Sequence, residues 1–374
     1  MTFRFTFFAA VRIVFGLLLL TSCALHGQIN FAVFDEPARP SEAHRTDLMR
    51  TLGRMPSGVP LNLDTLEVVA LPGGKRLLIQ YQAELPDTLF GTPGDTIQAY
   101  LFVPDDLAVR RPAIVAIHQD GPNDHIGKRE VAGIIGDSTL FYGRELFERG
   151  YVVICPDRYT HAYRRRLANS GEKHEDSDEV NEAESHWLGQ LIMRGRTNTG
   201  KEVYDLTRAV DVLHTYDFVD TTRIGAIGHS GGGYNMVYFV AYDRRVAAAV
   251  SSCGFFELTY WFHEAAAKKR GSSAALPGLL NVGIGTDFLI YIAPRPVLLT
   301  RGLYEWGDTG KWAKFSQLDV EEYKHIEQYV QPVYDQLGAT DQFKVIYFDE
   351  EGGRHAMPPN LKKTIYAWLD AHLK

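Results

Sequence analysis

Cysteine is scarce in this chain. Its 374 residues hold three, at positions 23, 155 and 253, too few for a disulfide framework, and none stands in the Cys/His spacing of a zinc site. Cys155 and Cys253 each follow an apolar run, Tyr151–Ile154 and Val246–Val250, which suits buried free thiols. Basic blocks are missing as well. Lys and Arg number 39 against 46 Asp and Glu, a net charge of -7, and nothing in that pattern suggests a nucleic-acid partner. No glycine-rich phosphate loop follows a first strand, no internal repeat or low-complexity tract occurs, and neither a metal nor another cofactor is expected. The apolar run Ile13–Leu20 is too short to span a bilayer.

That run, preceded by Arg4 and Arg12, reads as the hydrophobic part of a signal peptide over residues 1–22. It leads into Leu20-Thr21-Ser22-Cys23, which resembles a bacterial lipobox, in which the cysteine is lipidated and becomes the first mature residue. Ordinary signal cleavage just beyond is the alternative. Either way the expectation is an exported protein, periplasmic or at the cell surface, touching the membrane only through a lipid anchor at Cys23. Residues 23–64 read as an N-terminal extension, with a short helix over Ser41–Leu52.

Hydrophobic residues make up 45% of the chain, enough for a substantial core, and residues 65–374 read as one catalytic domain. Leu66–Leu71, Leu77–Tyr81 and Ile97–Val103 are short and β-rich, separated by Gly, Pro and Asp turns, and predict an antiparallel start to a sheet. Ala113–Ile117, Tyr151–Ile154, the run from Ile224, Val246–Ser251, Val297–Thr300 and Lys344–Phe348 read as buried strands. Between and after them, Phe141–Arg149, Glu202–His214, Tyr234–Tyr242 and Leu361–Leu373 read as helices. The expected class is therefore α/β, a mostly parallel sheet with helices on both faces. Two insertions interrupt the alternation, at 158–200 and 255–290. The first is dense in charge (Arg164, Arg165, Arg166, Glu172, Asp176) and reads as a solvated excursion; the second carries Trp261, Phe262 and Phe288.

One turn organises the rest. Gly228-His229-Ser230-Gly231-Gly232 fits the G-x-S-x-G nucleophile elbow, with a strand-like run before it and a helix-like run after it. Ser230 is the candidate nucleophile. A serine hydroxyl needs an imidazole to take its proton as it attacks, and in such proteins the acid and the histidine follow the serine in that order. His355, in the loop after the final strand, is the candidate base; His263, His325 and His372 lie in helical stretches. The loop after the preceding strand, Arg301–Asp308, supplies the acid, either Glu305, three residues past Gly302, or Asp308, with Glu305 preferred. Candidate oxyanion donors are the backbone N–H groups of Gly231 and of Gln119, the latter in the loop after Ala113–Ile117. Arg196 and Trp306 are weaker candidates for touching substrate, through a guanidinium clamp and through stacking on a sugar face.

His118-Gln119 with Gly127-Lys128-Arg129-Glu130, Cys155-Pro156-Asp157, Arg194-Gly195-Arg196-Thr197, the elbow, Ser251-Ser252-Cys253-Gly254 and Ile292-Ala293-Pro294-Arg295-Pro296 occur in sequence. Together they resemble the α/β-hydrolase superfamily, in particular its dienelactone-hydrolase-like and acetyl xylan esterase-like bacterial members, over roughly residues 65–374. The resemblance implies an α/β-hydrolase fold and a secreted serine esterase taking a small-molecule or polysaccharide ester, often an acylated carbohydrate. Two departures stand out: dienelactone hydrolases proper use a cysteine where Ser230 stands, and the acid loop reads Gly-x-x-Glu rather than Gly-x-x-Asp. A prolyl-oligopeptidase-type serine peptidase is the alternative, although the chain has no room for the large gating domain such enzymes usually carry. A non-catalytic carbohydrate-binding protein on the same fold is the alternative from another class; it would not need Ser230, Glu305 and His355 together.

Overall fold

Strand pairing and side-chain alternation build this protein outward from one sheet. The computed structural model describes residues 40–89, 94–120, 126–159, 161, 164, 188–258 and 274–374. The signal and lipobox stretch, the charged run 165–187, and Trp261, Phe262 and His263 lie outside the described residues. The first described element is helix α1 (Glu42–Arg50), whose N-cap Ser41 accepts a hydrogen bond from the His44 N–H at 3.1 Å. Strands β1 (Asp64–Leu71), β2 (Gly74–Glu84) and β3 (Asp95–Pro104) then pair antiparallel. After β4 (Arg111–Ile117) come helix α2 (Tyr142–Glu148) and β5 (Val152–Pro156). Helix α3 (Asn198–Leu213), β6 (Val219–His229), helix α4 (Gly231–Tyr242) and β7 (Val246–Ser252) follow. The chain continues through β8 (Val297–Gly302), helix α5 (Gly310–Gln336), β9 (Phe343–Phe348) and helix α6 (Pro359–Leu373).

The described strands form a nine-stranded sheet in the order β1-β2-β3-β5-β4-β6-β7-β8-β9. It is antiparallel as far as the β3–β5 pair and parallel from β5 to β9. Because successive side chains of a strand point to opposite faces, β4 feeds two cores. Ala113, Val115 and Ile117 join the core beneath α3, α4 and α5, and Ile114 and Ala116 join the core beneath α2 and α6. Both faces are covered, which is why β4, β5 and β7 read as unbroken apolar runs.

The expected strands all form, most of them one to three residues longer at an end. Helix α5 is the larger surprise: it runs 27 residues, of which only His325 reads as helical in the sequence. Its C-terminal half buries Tyr323, Ile326, Tyr329, Val330, Val333 and Tyr334 at helical spacing, but its N-terminal half buries Ser316, Asp319 and Glu322. A polar buried face gives no amphipathic signal, and this one faces the site described below. The first insertion is corrected in part. Arg164 is not solvated but buried against Asp205 at 2.7 Å and Asp95.

Residues 40–63 are more than a tether. Leu48, on α1, is 0% exposed, and Leu48 and Leu52 belong to the same core as β2, β3 and α3. Truncating such a buried leucine removes both transfer energy and packing. Leu48→Ala is expected to lower the stability of the whole chain by about 2–5 kcal/mol in urea unfolding. A midpoint unchanged from the parent would mean that α1 is not part of the cooperative unit.

Candidate active site

Between β6 and α4 the backbone turns so sharply that Ser230 takes φ 53, ψ -126, a region that non-glycine residues rarely occupy. Two hydrogen bonds hold it there. The Ser230 N–H donates to Ser252 O on β7, and Ser230 O accepts from the Tyr234 N–H to start α4, each at 2.9 Å. The flanking glycines are steric necessities. A Cβ on Gly228 would lie 2.3 Å from Gly232 O, and one on Gly232 would lie 2.3 Å from Ile117 O at the end of β4. The turn also puts Gly231 at the first position of α4, where the helix presents unpaired N–H groups and the positive end of its dipole.

The other candidates come from neighbouring strand ends. The loops after β8 and β9 are stitched together, Leu303 N–H to Phe348 O and Tyr304 N–H to Gly353 O, both at 2.9 Å. That register lays the Glu305 carboxylate against the imidazole of His355, whose Nδ1–H donates to Glu305 Oε1. Nε2 is thereby left as the basic nitrogen. Ser230, Cys253, Gly254, Phe256, Arg301, Glu305, Trp306, Asp319 and His355 line one cavity. Asp308 goes elsewhere: it is exposed and pairs with Arg354 at 3.4 Å.

Glu305 is fully buried. Burial alone would push its carboxyl up, but the Arg301 guanidinium 2.5 Å away, helped by His355, holds it down at about 2. Arg301 also donates to Phe255 O at 3.0 Å and lies over the Tyr323 ring at 4.2 Å. It lies within 3.6 Å of a second carboxyl, Asp319, which α5 brings in. One buried guanidinium compensates one carboxylate, so the others ionise less readily. Burial raises Asp319 to about 6, with Glu305 adding to the effect against Arg301, and raises Glu322 well above the ordinary carboxyl range. Asp319 accepts from the Trp306 indole N–H at 2.5 Å, and the indole stacks on His355 with ring centroids 6.2 Å apart. His229 lies 4.7 Å from the same imidazole.

At the oxyanion end, Gln119 follows β4 next to α4. Its side-chain amide donates to Glu130 at 3.0 Å, which leaves its backbone as the part that could serve. His118 accepts the Arg158 N–H at Nε2 (3.0 Å) and donates from Nδ1 to Gln119 O (2.7 Å). Burial, with the charges of His161 and Arg158, holds its pKa well below the ordinary imidazole value. Sequence reading passed over Asp120. A Cβ on Gly231 would come within 2.3 Å of both Asp120 carboxylate oxygens, so a carboxylate covers the start of α4. Arg158 pairs with it at 2.6 Å and also with Glu202 at 3.2 Å. Position directly after Cys155-Pro156-Asp157, at the end of β5, was the one signal that could have marked Arg158. Arg196, by contrast, is not at this cavity. It is buried in a bidentate pair with Glu84 at 2.7 and 2.9 Å and fastens the start of α3 to β2.

Asp319 gives a pH signature. Its folded pKa of about 6 lies above the ordinary 3.8, so the stability it contributes is complete below about pH 4 and is lost as pH rises through 6. Glu305 acts in the opposite sense, its contribution being lost only as pH falls from its ordinary 4.5 towards 2. Between about pH 4 and pH 7 the parent chain should lose on the order of 3 kcal/mol relative to Asp319→Asn in urea unfolding. Parallel pH profiles for the two chains would refute the upward shift of Asp319.

Comparison with known proteins agrees with this architecture. The model of the prolyl oligopeptidase family matches residues 185–271. The "Putative hydrolase YtaP" of Bacillus subtilis (strain 168) is 24% identical over 305 residues, 81% of this chain and 90% of that protein. Among solved structures, one described as "a putative acetyl xylan esterase" from Bacteroides fragilis superposes with a TM-score of 0.63 at 16% identity, over 88% of this chain and 81% of that one. A glucuronoyl esterase from Solibacter usitatus superposes with a TM-score of 0.58 at 13% identity, over 88% and 92%. With a mostly parallel sheet, a serine on the elbow after β6, and an acid and a histidine in the loops after β8 and β9, this chain has the α/β-hydrolase fold that it shares with the superposed esterase structures.

Proposed function

We propose that this protein is a serine carboxylic-ester hydrolase acting through an acyl-enzyme on acylated carbohydrate. The observation that carries the reading is the shared cavity, lined both by Ser230 on its strained elbow and by a His355 oriented by the buried, ionised Glu305. Ser230 Oγ attacks the ester carbonyl while His355 Nε2 takes its proton. Glu305 fixes the tautomer and stabilises the imidazolium. The backbone N–H groups of Gly231 and Gln119 receive the oxyanion. As the tetrahedral intermediate collapses, His355 protonates the departing sugar hydroxyl, leaving the acyl group on Ser230. Water, deprotonated by His355, then releases the acid and restores the serine.

A sugar as the alcohol is supported by aromatic surface at the mouth. Trp306 and Tyr304, in the loop that carries Glu305, remain 37% and 44% exposed, and a pyranose ring presents the apolar C–H face that such rings stack on. The neighbours named as acetyl xylan and glucuronoyl esterases favour the same class. Export and a lipid anchor at Cys23 complete the proposal and rest on the lipobox-like stretch; no helix of the described residues is long and apolar enough to cross a membrane. The match to the prolyl oligopeptidase family keeps peptide hydrolysis as the second reading, since the same serine chemistry cleaves amides.

Hydrolysis of p-nitrophenyl acetate, longer acyl esters, acetylated xylan and a peptidyl p-nitroanilide discriminates these readings. Acetyl esters, the xylan among them, are expected to turn over, and Ser230→Ala should lower kcat to background, a loss on the order of 10⁶-fold. Peptide turnover at rates matching the best ester would overturn the esterase in favour of the peptidase. Ester turnover that survives Ser230→Ala would remove the serine from the mechanism.

A further inference from the structure

Cys253 has no part in ester hydrolysis, yet it stands in the wall of the same cavity. It follows β7 at φ 48, and its N–H donates to Thr300 O at 3.0 Å, which fixes its backbone against β8. Its thiol is buried and free of any disulfide. One potential ligand atom each from Cys253, Glu305 and His355 lies within 4.8 Å of the other two. Zinc holds sulfur at about 2.3 Å and imidazole nitrogen or carboxylate oxygen at about 2.0–2.2 Å. Three atoms so placed can therefore converge on one ion after side-chain shifts on the order of an ångström. Sulfur, imidazole and a single carboxylate form a donor set for a borderline-soft cation, not for calcium or magnesium.

The other carboxylate cluster among the described residues makes a useful contrast. Glu84, Asp95 and Asp205 also converge, but the Lys201 ammonium already sits among them, 2.8, 2.5 and 2.5 Å from their oxygens. A protein cation fills that position. At the Cys253 group, Arg301 takes only Glu305 Oε2, while Oε1 faces His355. What lies between Oε1 and Nδ1 is a proton, and a proton can be displaced by a metal ion.

We propose that Cys253, Glu305 and His355 form a binding site for a zinc-like divalent cation that reversibly switches the hydrolase off. On binding, the Cys253 thiol gives its proton to solvent, and the imidazole proton moves from Nδ1 to Nε2 as Nδ1 takes up the metal. No oxidation or reduction is involved. The cavity shared with Ser230 leaves the fourth coordination position to water. With Nε2 protonated and Glu305 on the metal, Ser230 has no base. The inhibitory half of the proposal rests on the esterase reading; the binding half does not.

The test uses the full chain as its Ser230→Ala variant, so that binding is read without turnover. Calorimetric titration with zinc chloride should show one ion per chain. Adding Cys253→Ser should weaken it by at least about tenfold, the loss that disturbing even an outer-sphere partner produces. Cobalt(II) added to the unmutated chain should give a sulfur-to-metal charge-transfer band that disappears in Cys253→Ser, which needs only a folded chain. No zinc binding, equal binding with and without the thiol, or a cobalt spectrum lacking that band would overturn the site. In the ester assay, zinc should suppress turnover and a chelator restore it, with each variant compared with its own metal-free rate. Binding through Cys253 that leaves ester turnover unchanged would overturn the switch, and a chain that turns over no ester is still judged on the binding measurements.

Discussion

The tight turn at Ser230 is the constraint on which the rest of the site depends. A non-glycine residue at positive φ costs about 1–3 kcal/mol, and it persists only where its surroundings leave it no alternative. Here β7 receives its N–H, α4 starts from its carbonyl, and the start of α4 approaches the ends of β4 and β6 so closely that only glycine fits at 228 and 232. The same turn therefore delivers several things together. It lifts the serine above the sheet, sets the Gly231 N–H beside it, and aims the start of a helix at the place where negative charge would develop.

The histidine side of the site is governed by charge balance in a buried place. A carboxylate with no water around it is unstable unless a cation compensates it, and among the described residues the guanidinium that pairs with Glu305 and Asp319 is that of Arg301. Because Arg301 bonds Glu305 directly, Glu305 takes the negative charge, while the carboxyls of Asp319 and Glu322 are pushed up by burial, Glu322 well above the ordinary range and Asp319 to about 6. This ordering has structural use. Asp319 accepts from the Trp306 indole and keeps that ring against His355, without competing with Glu305 for the imidazole proton. Glu257, also buried, is satisfied in another way, by the N–H groups of Gly285 and Thr286 and by the Thr286 hydroxyl.

Much of this was legible in the sequence, for identifiable reasons. The central strands are buried on both faces, so their apolar runs stand out, and the elbow needs glycines at fixed offsets from a serine. The chain order of serine, acid and histidine pointed to the loops after β8 and β9. Spacing from Gly302 favoured Glu305 without excluding Asp308, because the backbone register between those two loops decides which carboxylate reaches His355. Arg196 looked available for a ligand, but its partner Glu84 lies 112 positions away on β2, beyond any local pattern. The N-terminal half of α5 was hidden because its buried face is polar. Asp120 was passed over because its importance depends on how closely the end of β4 approaches α4, a distance no sequence pattern encodes.

Asp120 also shows how narrowly the proposed chemistry is balanced. A carboxylate about 4 Å from a developing oxyanion would oppose it by about 4 kcal/mol at the effective dielectric of a protein surface. One backbone donor of an oxyanion hole is worth about 3–4 kcal/mol. Left alone, Asp120 would cancel what the Gly231 N–H provides. It is not left alone: Arg158, fully buried and braced from behind by Glu202, holds Oδ1 at 2.6 Å, and His161 stands 3.4 Å from the same oxygen. Burial works against the charge of His161, but the Asp120 carboxylate outweighs it and raises the imidazole's pKa. The start of α4 and its backbone N–H groups therefore lie beside a carboxylate already engaged by Arg158. An ion pair away from the reacting atoms thus sets whether the elbow can stabilise an anion, as Arg301 sets which carboxylate holds the histidine.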